Sequence, residues 1–189
     1  MSRQAEIIHK LSDKELYANL YMTQTMILTA ALILAFFLQG SVFAPFFLID
    51  ITWQATLIGA GFAGLVLLTE FLCYYTLPKK WFDDGGINER IFRRMPAVQI
   101  VGLSMLVAFS EELLFRGVLQ TEFGIVAASL IFALIHIRYL SKWFLFLFVI
   151  VMSFSLGFLF MWTENLWTVI TAHFLIDAVL GLLIRYRSR

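Results

Sequence analysis

Cysteine occurs once in 189 residues, proline three times and histidine three times, and charged residues make up only 14% of the chain. The lone Cys73 sits within an apolar run, which excludes a disulfide framework and a thiolate zinc site. The shortage of charge, against roughly 25% in a soluble domain, excludes an ordinary water-soluble fold. The basic residues are scattered over loops and form no stripe, so a net charge of +1 gives no reason to expect a nucleic-acid partner. Internal repeats and interdomain linkers are missing too, and the length suits a single membrane-embedded domain, residues 1–189. No cleavable signal peptide is expected, because the first twenty residues are polar and mixed in charge.

What the chain has in abundance is apolar side chains, 61% of the total. They form long runs at residues 21–39, 53–77, 96–119, 123–137, 143–162 and 165–184. A helix needs about 20 apolar residues to cross the hydrocarbon core, and open strands are not viable there. The expected fold is therefore all-α, a polytopic transmembrane helix bundle of about six spans. Ser12 and Glu15 read as a capping box that opens the first helix; Pro45 breaks the chain after it, and Gly85-Gly86 marks a turn. Every Lys or Arg except Arg116 falls in the amino-terminal segment, the second loop, the fourth loop or the tail. The positive-inside rule makes that side, and both termini, cytoplasmic. All five tryptophans lie near span ends, as an interfacial belt requires.

Against this background the charges inside spans stand out. Glu111, Glu112 and Arg116 lie in the third run, and each is costly in lipid without a partner or a task. Residues four apart share a helix face, so Arg116 covers Glu112 while Glu111 points about 100° away. The expected division gives Glu112 to Arg116 as a buried ion pair and leaves Glu111 free to act. Two of the three histidines, His136 and His173, also lie in apolar helices; Phe132 shares a face with His136, and Asp177 follows His173 at i+4. Asp177 could hold the His173 ring in one orientation. Such a carboxylate and two imidazoles can activate water, or hold one divalent metal such as zinc with Glu111, His136 and His173 as ligands and Asp177 as a fourth. No His-Glu-x-x-His signature is present, so spacing leaves metal dependence open. Ser110, Ser129, Ser153 and Ser155 read as packing contacts rather than nucleophiles, and Gly59, Gly61, Gly64 and Gly157 as sites of close helix approach. Glu70, also within a span, reads as structural.

Taken together these residues resemble the membrane-embedded CAAX prenyl protease and bacteriocin-processing family, also called abortive-infection-like proteases. Its Glu-Glu-x-x-x-Arg motif matches Glu111 to Arg116, its Phe-x-x-x-His motif matches Phe132 to His136, and its His-x-x-x-Asn/Asp motif matches His173 to Asp177. The likeness covers residues 96–184, the expected catalytic helical core. The resemblance implies peptide-bond hydrolysis within a bacterial cell membrane, on a membrane-associated, lipidated or peptide substrate. It assigns Glu111 and His136 to water activation, and His173 with Asp177 to the oxyanion or to orientation. Glu112, Arg116 and Phe132 would support the site. An ionised aspartate cannot donate to an oxyanion, so Asp177 must be protonated or must orient His173.

Two other functions share this pattern of buried charge: a small transporter or proton-coupled carrier, and a non-catalytic membrane scaffold. One geometric expectation opposes a single site. At 1.5 Å per residue, Glu111 lies about 13 Å below the third loop and His136 about 20 Å below it. A fourth helix that looks short points to misplaced boundaries as the source. Substrate identity, side of access and oligomeric state do not follow from the sequence.

Overall fold

The computed structural model describes residues 8 and 10–187, all of whose regular structure is helical. Helix α1 spans Asp13–Gln39. Ser12 caps it: the Glu15 amide donates to Ser12 Oγ at 3.3 Å, and the Ser12 amide donates to Glu15 Oε2 at 2.9 Å. Gly40, at φ 76°, ends it in the left-handed region that glycine tolerates best. A 3₁₀ turn at Ala44–Leu48 carries Pro45 and leads to α2, Trp53–Thr76, capped by Thr52. The short α3, Ile87–Phe92, follows. Then come α4, Ala97–Glu112, a π-helix at Leu113–Gln120, and α5, Thr121–Ile135. Helices α6, Trp143–Thr163, and α7, Leu166–Arg187, complete the bundle.

The expected third and fourth spans are joined without a loop, so the described residues contain five helical runs long and apolar enough to cross a membrane, the longest being Ala97–Ile135. Six separate full-length spans are not formed. The break inside this run is Gly124, with φ 80° and ψ 168°. There the chain reverses: the rings of Phe115 and Phe132 lie 4.9 Å apart, whereas a straight helix separates residues 17 apart by about 25 Å. Helix α5 is thus a return arm, antiparallel to the π-helix and only about 17 Å long from Gly124 to its end.

The reversal removes the depth mismatch. Arg116 lies 5.1 Å from the Phe132 ring. His136 comes four residues after Phe132, and Glu112 four residues before Arg116, so in antiparallel register they fall at one level. The third helix runs on past residue 119, the boundary the hydropathy had suggested.

Lipid inverts the usual arrangement of surface and core. Phe36, Phe37, Leu65, Phe71, Val98 and Phe158 face outward, while small residues make the helix contacts. Helix α2 buries Ala55, Gly59 and Ala63, a stripe at intervals of four, against α7. A Cβ at Gly59 would lie 2.5 Å from the Thr168 carbonyl oxygen, and one at Gly157 would lie 2.8 Å from Ile125. Gly61 and Gly64 do not serve this purpose, since a Cβ there would meet nothing within 4 Å.

The basic segments meet at one pole. Asp13 pairs with Arg90 at 2.5 Å and Arg94 at 3.7 Å, Arg187 lies 4.9 Å from the Tyr74 ring centroid, and Arg185 donates to the Met95 carbonyl. Lys142 pairs with Asp83 at 3.3 Å; the Gly85 amide and Lys142 hold the Asp83 carboxyl below the usual range. At the opposite pole the Asn165 side chain donates to the Asp50 carbonyl at 2.8 Å and accepts from the Asp50 amide at 3.1 Å. Arg3 and Arg189, part of the basic pattern, lie outside the described residues.

Candidate active site

Inside the bundle α4, α5 and α7 bring together the polar groups singled out by the sequence. Glu112 and Arg116 are 0% and 1% exposed, and the Arg116 Nε lies 3.2 Å from Glu112 Oε2. The widened π-turn that holds Arg116 buries all eight of its residues; such turns are rare and frequent at functional sites. Arg116 also donates from Nη2 to the Ser153 carbonyl of α6 at 2.9 Å. Phe132 covers its guanidinium face, a cation–π contact that suits a planar, weakly hydrated cation.

Glu112 does more than the face argument assigned to it. His173 Nδ1 donates to Glu112 Oε1 at 2.7 Å, so one carboxylate bridges Arg116 and His173. Asp177 stands on the other side of the ring, its Oδ2 3.5 Å from His173 Nε2. The shorter bond, from a residue 61 positions away, therefore dominates the orientation that i+4 spacing had given to Asp177.

His136 is oriented by its own helix end. At φ −78°, ψ 52° it leaves the α conformation, and its amide bonds to Ala133 rather than to Phe132. The Phe132 carbonyl is thereby freed and accepts from His136 Nδ1 at 2.8 Å. A carbonyl only accepts, so Nδ1 carries the hydrogen and a neutral ring presents its Nε2 lone pair. The ring is half-buried and stacks near Tyr139, with centroids 6.4 Å apart and planes 5° from parallel.

Glu111 is 6% exposed and receives a hydrogen bond from Gln24 Nε2 of α1 at 3.5 Å. It lies within electrostatic reach of His173 and Asp177, and His136 within reach of His173 and Arg116. Glu70 of α2 turns inward too, with Oε2 buried and unpartnered and Asp177 within electrostatic reach. Gln24 was not among the sequence candidates. An amide in the interior of an apolar helix was the available signal, diluted by the threonines beside it.

Each imidazole has its Nδ1 engaged, which leaves one nitrogen apiece to meet a water, a substrate or a metal. Among the described residues no group of three His, Cys, Asp or Glu side chains is gathered around one point in this arrangement.

Comparison with known proteins agrees with the geometry. A family described as "Type II CAAX prenyl endopeptidase Rce1-like" matches residues 93–179, a stretch that contains all three motifs and the return arm. The Bacillus subtilis (strain 168) protein "Uncharacterized protein YpbD" is 45% identical over 166 residues, which cover 87% of this chain and 88% of that protein. No solved structure matches. With its motifs gathered at one depth among long apolar helices, the chain is an integral, multi-pass membrane protein and belongs to the Rce1-like CAAX protease family.

Proposed function

We propose that the protein is an intramembrane endopeptidase that hydrolyses a peptide bond of a membrane-associated protein or peptide, with Glu111 as general base. The observation that carries this reading is the different treatment of two adjacent carboxylates. Glu112 is consumed by Arg116 and His173, whereas among the described residues Glu111 has only the single weak side-chain bond from Gln24, and the antiparallel register sets it at the level of the His136 ring.

In the proposed reaction a water between Glu111 and His136 gives up a proton to Glu111. Its oxygen bonds to the scissile carbonyl carbon while the carbonyl electron pair moves onto oxygen. His173, with Nδ1–H fixed on Glu112, turns Nε2 toward that oxygen and stabilises it as an imidazolium; Asp177 and Glu112 balance the charge. When the C–N bond breaks, the leaving nitrogen takes the proton held by Glu111. Asp177, as the second anion beside the ring, orients and balances His173 rather than donating to the oxyanion.

The basic pole is assigned to the cytoplasm, which puts both termini on the cytoplasmic side of a bacterial cell membrane and makes α5 a shortened sixth membrane segment. The catalytic core is assigned to residues 96–184. The decisive experiment compares new protein amino termini in membranes of cells carrying the wild type or Glu111→Gln. A set of termini present only with the wild type is expected. An identical set in both, with the variant accumulating normally, excludes the peptidase reading and leaves a carrier or a scaffold.

A further inference from the structure

We infer that Gln24 of α1 is a positioning residue that holds Glu111 for catalysis, a role that rests on Glu111 being the base. Helix α1 lies outside the family match, which begins at residue 93. It presents little to the bundle: its buried residues are Leu16, Gln24, Ala31 and Ala35, one narrow stripe in which the amide is the sole polar member. An amide in such a place costs free energy unless both of its ends are bonded. Gln24 is 7% exposed; its Oε1 accepts from Ser110 Oγ at 2.6 Å, and its Nε2 donates to Glu111 Oε1 at 3.5 Å.

The arrangement has a direction. Ser110 is fully buried, and its hydroxyl proton is divided between Gln24 and the Leu106 carbonyl at 2.8 Å. By donating to the amide oxygen, Ser110 turns the amide nitrogen toward Glu111. The reverse orientation would set a carbonyl oxygen against a carboxylate. Bonds of this kind in a resting site tend to be long and to tighten around the reacting groups. Farther from the basic pole, α1 is tied to the π-helix by Gln39, whose Nε2 donates to the Gly117 carbonyl at 2.9 Å. The helix that steadies the base is therefore anchored to the π-helix that continues the helix carrying it.

Gln24→Met keeps length and bulk while removing both hydrogen bonds. Two measurements follow in the full-length protein in native membranes. The hydrophobic reagent dicyclohexylcarbodiimide, with modified peptides quantified by mass spectrometry, should label Glu111 several-fold faster in Gln24→Met than in the wild type. Glu70, whose Oε2 already lacks a partner, should be labelled at an unchanged rate in both. Formation of the wild-type-specific termini should fall about tenfold, the order expected for losing one bond to a charged group. Ser110→Ala should cause a smaller loss that disappears in the Gln24→Met background. If Gln24→Met does not accumulate, Ser110→Ala alone should still raise the Glu111 labelling rate. Unchanged labelling of Glu111 in a folded variant overturns the inference. Retained cleavage by Glu111→Gln would instead remove the peptidase reading, whatever the labelling shows.

Discussion

Glu112, itself 0% exposed, has two donors to satisfy, the Arg116 guanidinium and the Nδ1–H of His173. Removing a buried ion's partner leaves an uncompensated charge, at a cost of about 3–5 kcal/mol. Glu112→Gln should therefore lower thermal stability in detergent by an amount of that order, since Arg116 is 1% exposed and has no other carboxylate paired with it among the described residues. The double replacement Glu112→Leu with Arg116→Met should recover most of the stability and none of the activity, because the His173 orientation is lost with it. Glu111→Gln should behave in the opposite way. Its melting temperature should stay within a few degrees of the wild type, while cleavage falls by about a hundredfold or more, the usual contribution of a general base. A Glu111→Gln protein as unstable as Glu112→Gln would contradict the division of tasks between the two carboxylates.

At the scale of elements, the return arm decides whether the site exists. The conformation at Gly124, φ 80° and ψ 168°, is one that side-chain-bearing residues rarely adopt. No neighbouring atom would obstruct a Cβ there, so Gly124→Ala tests backbone strain alone. It should cost about 1–3 kcal/mol, visible in unfolding, and should depress cleavage by moving His136 off the level of Glu111. The α2–α7 contact gives a second test through bulk. Gly59→Leu would drive a side chain into the Thr168 backbone and should destabilise the protein by about 1–3 kcal/mol or more. Gly64→Leu, with open space around it, should be neutral. Equal effects at the two positions would mean that α2 does not sit on α7 as described.

For the whole molecule, the proposed orientation rests on the collection of basic segments at one pole and the Asp50–Asn165 clasp at the other. In a Cys73→Ser background, Lys80→Cys should react with a membrane-impermeant maleimide only after cells are opened. Phe47→Cys, whose parent side chain is 84% exposed at the opposite pole, should react in intact cells. The reverse pattern would invert the assigned topology, and labelling of both from one side would contradict the two-pole arrangement.

Composition and hydropathy alone determined that the chain is a helical membrane protein, because its apolar runs have the length of a spanning helix and lipid cannot satisfy the backbone of an open strand. Spacing alone determined the Glu112–Arg116 pair and the containment of Phe132 and His136 on one face, since those relations are local to a helix turn. Tertiary structure decided the rest. Hydropathy could not distinguish a full span from an arm that doubles back at a single glycine, because both are runs of apolar residues. It could not reveal that Glu112 reaches His173, nor that an amide on α1 reaches Glu111. Contacts between residues 61 and 87 positions apart depend on how helices are rotated and set in depth, and that is fixed by packing between them rather than by any periodicity within one.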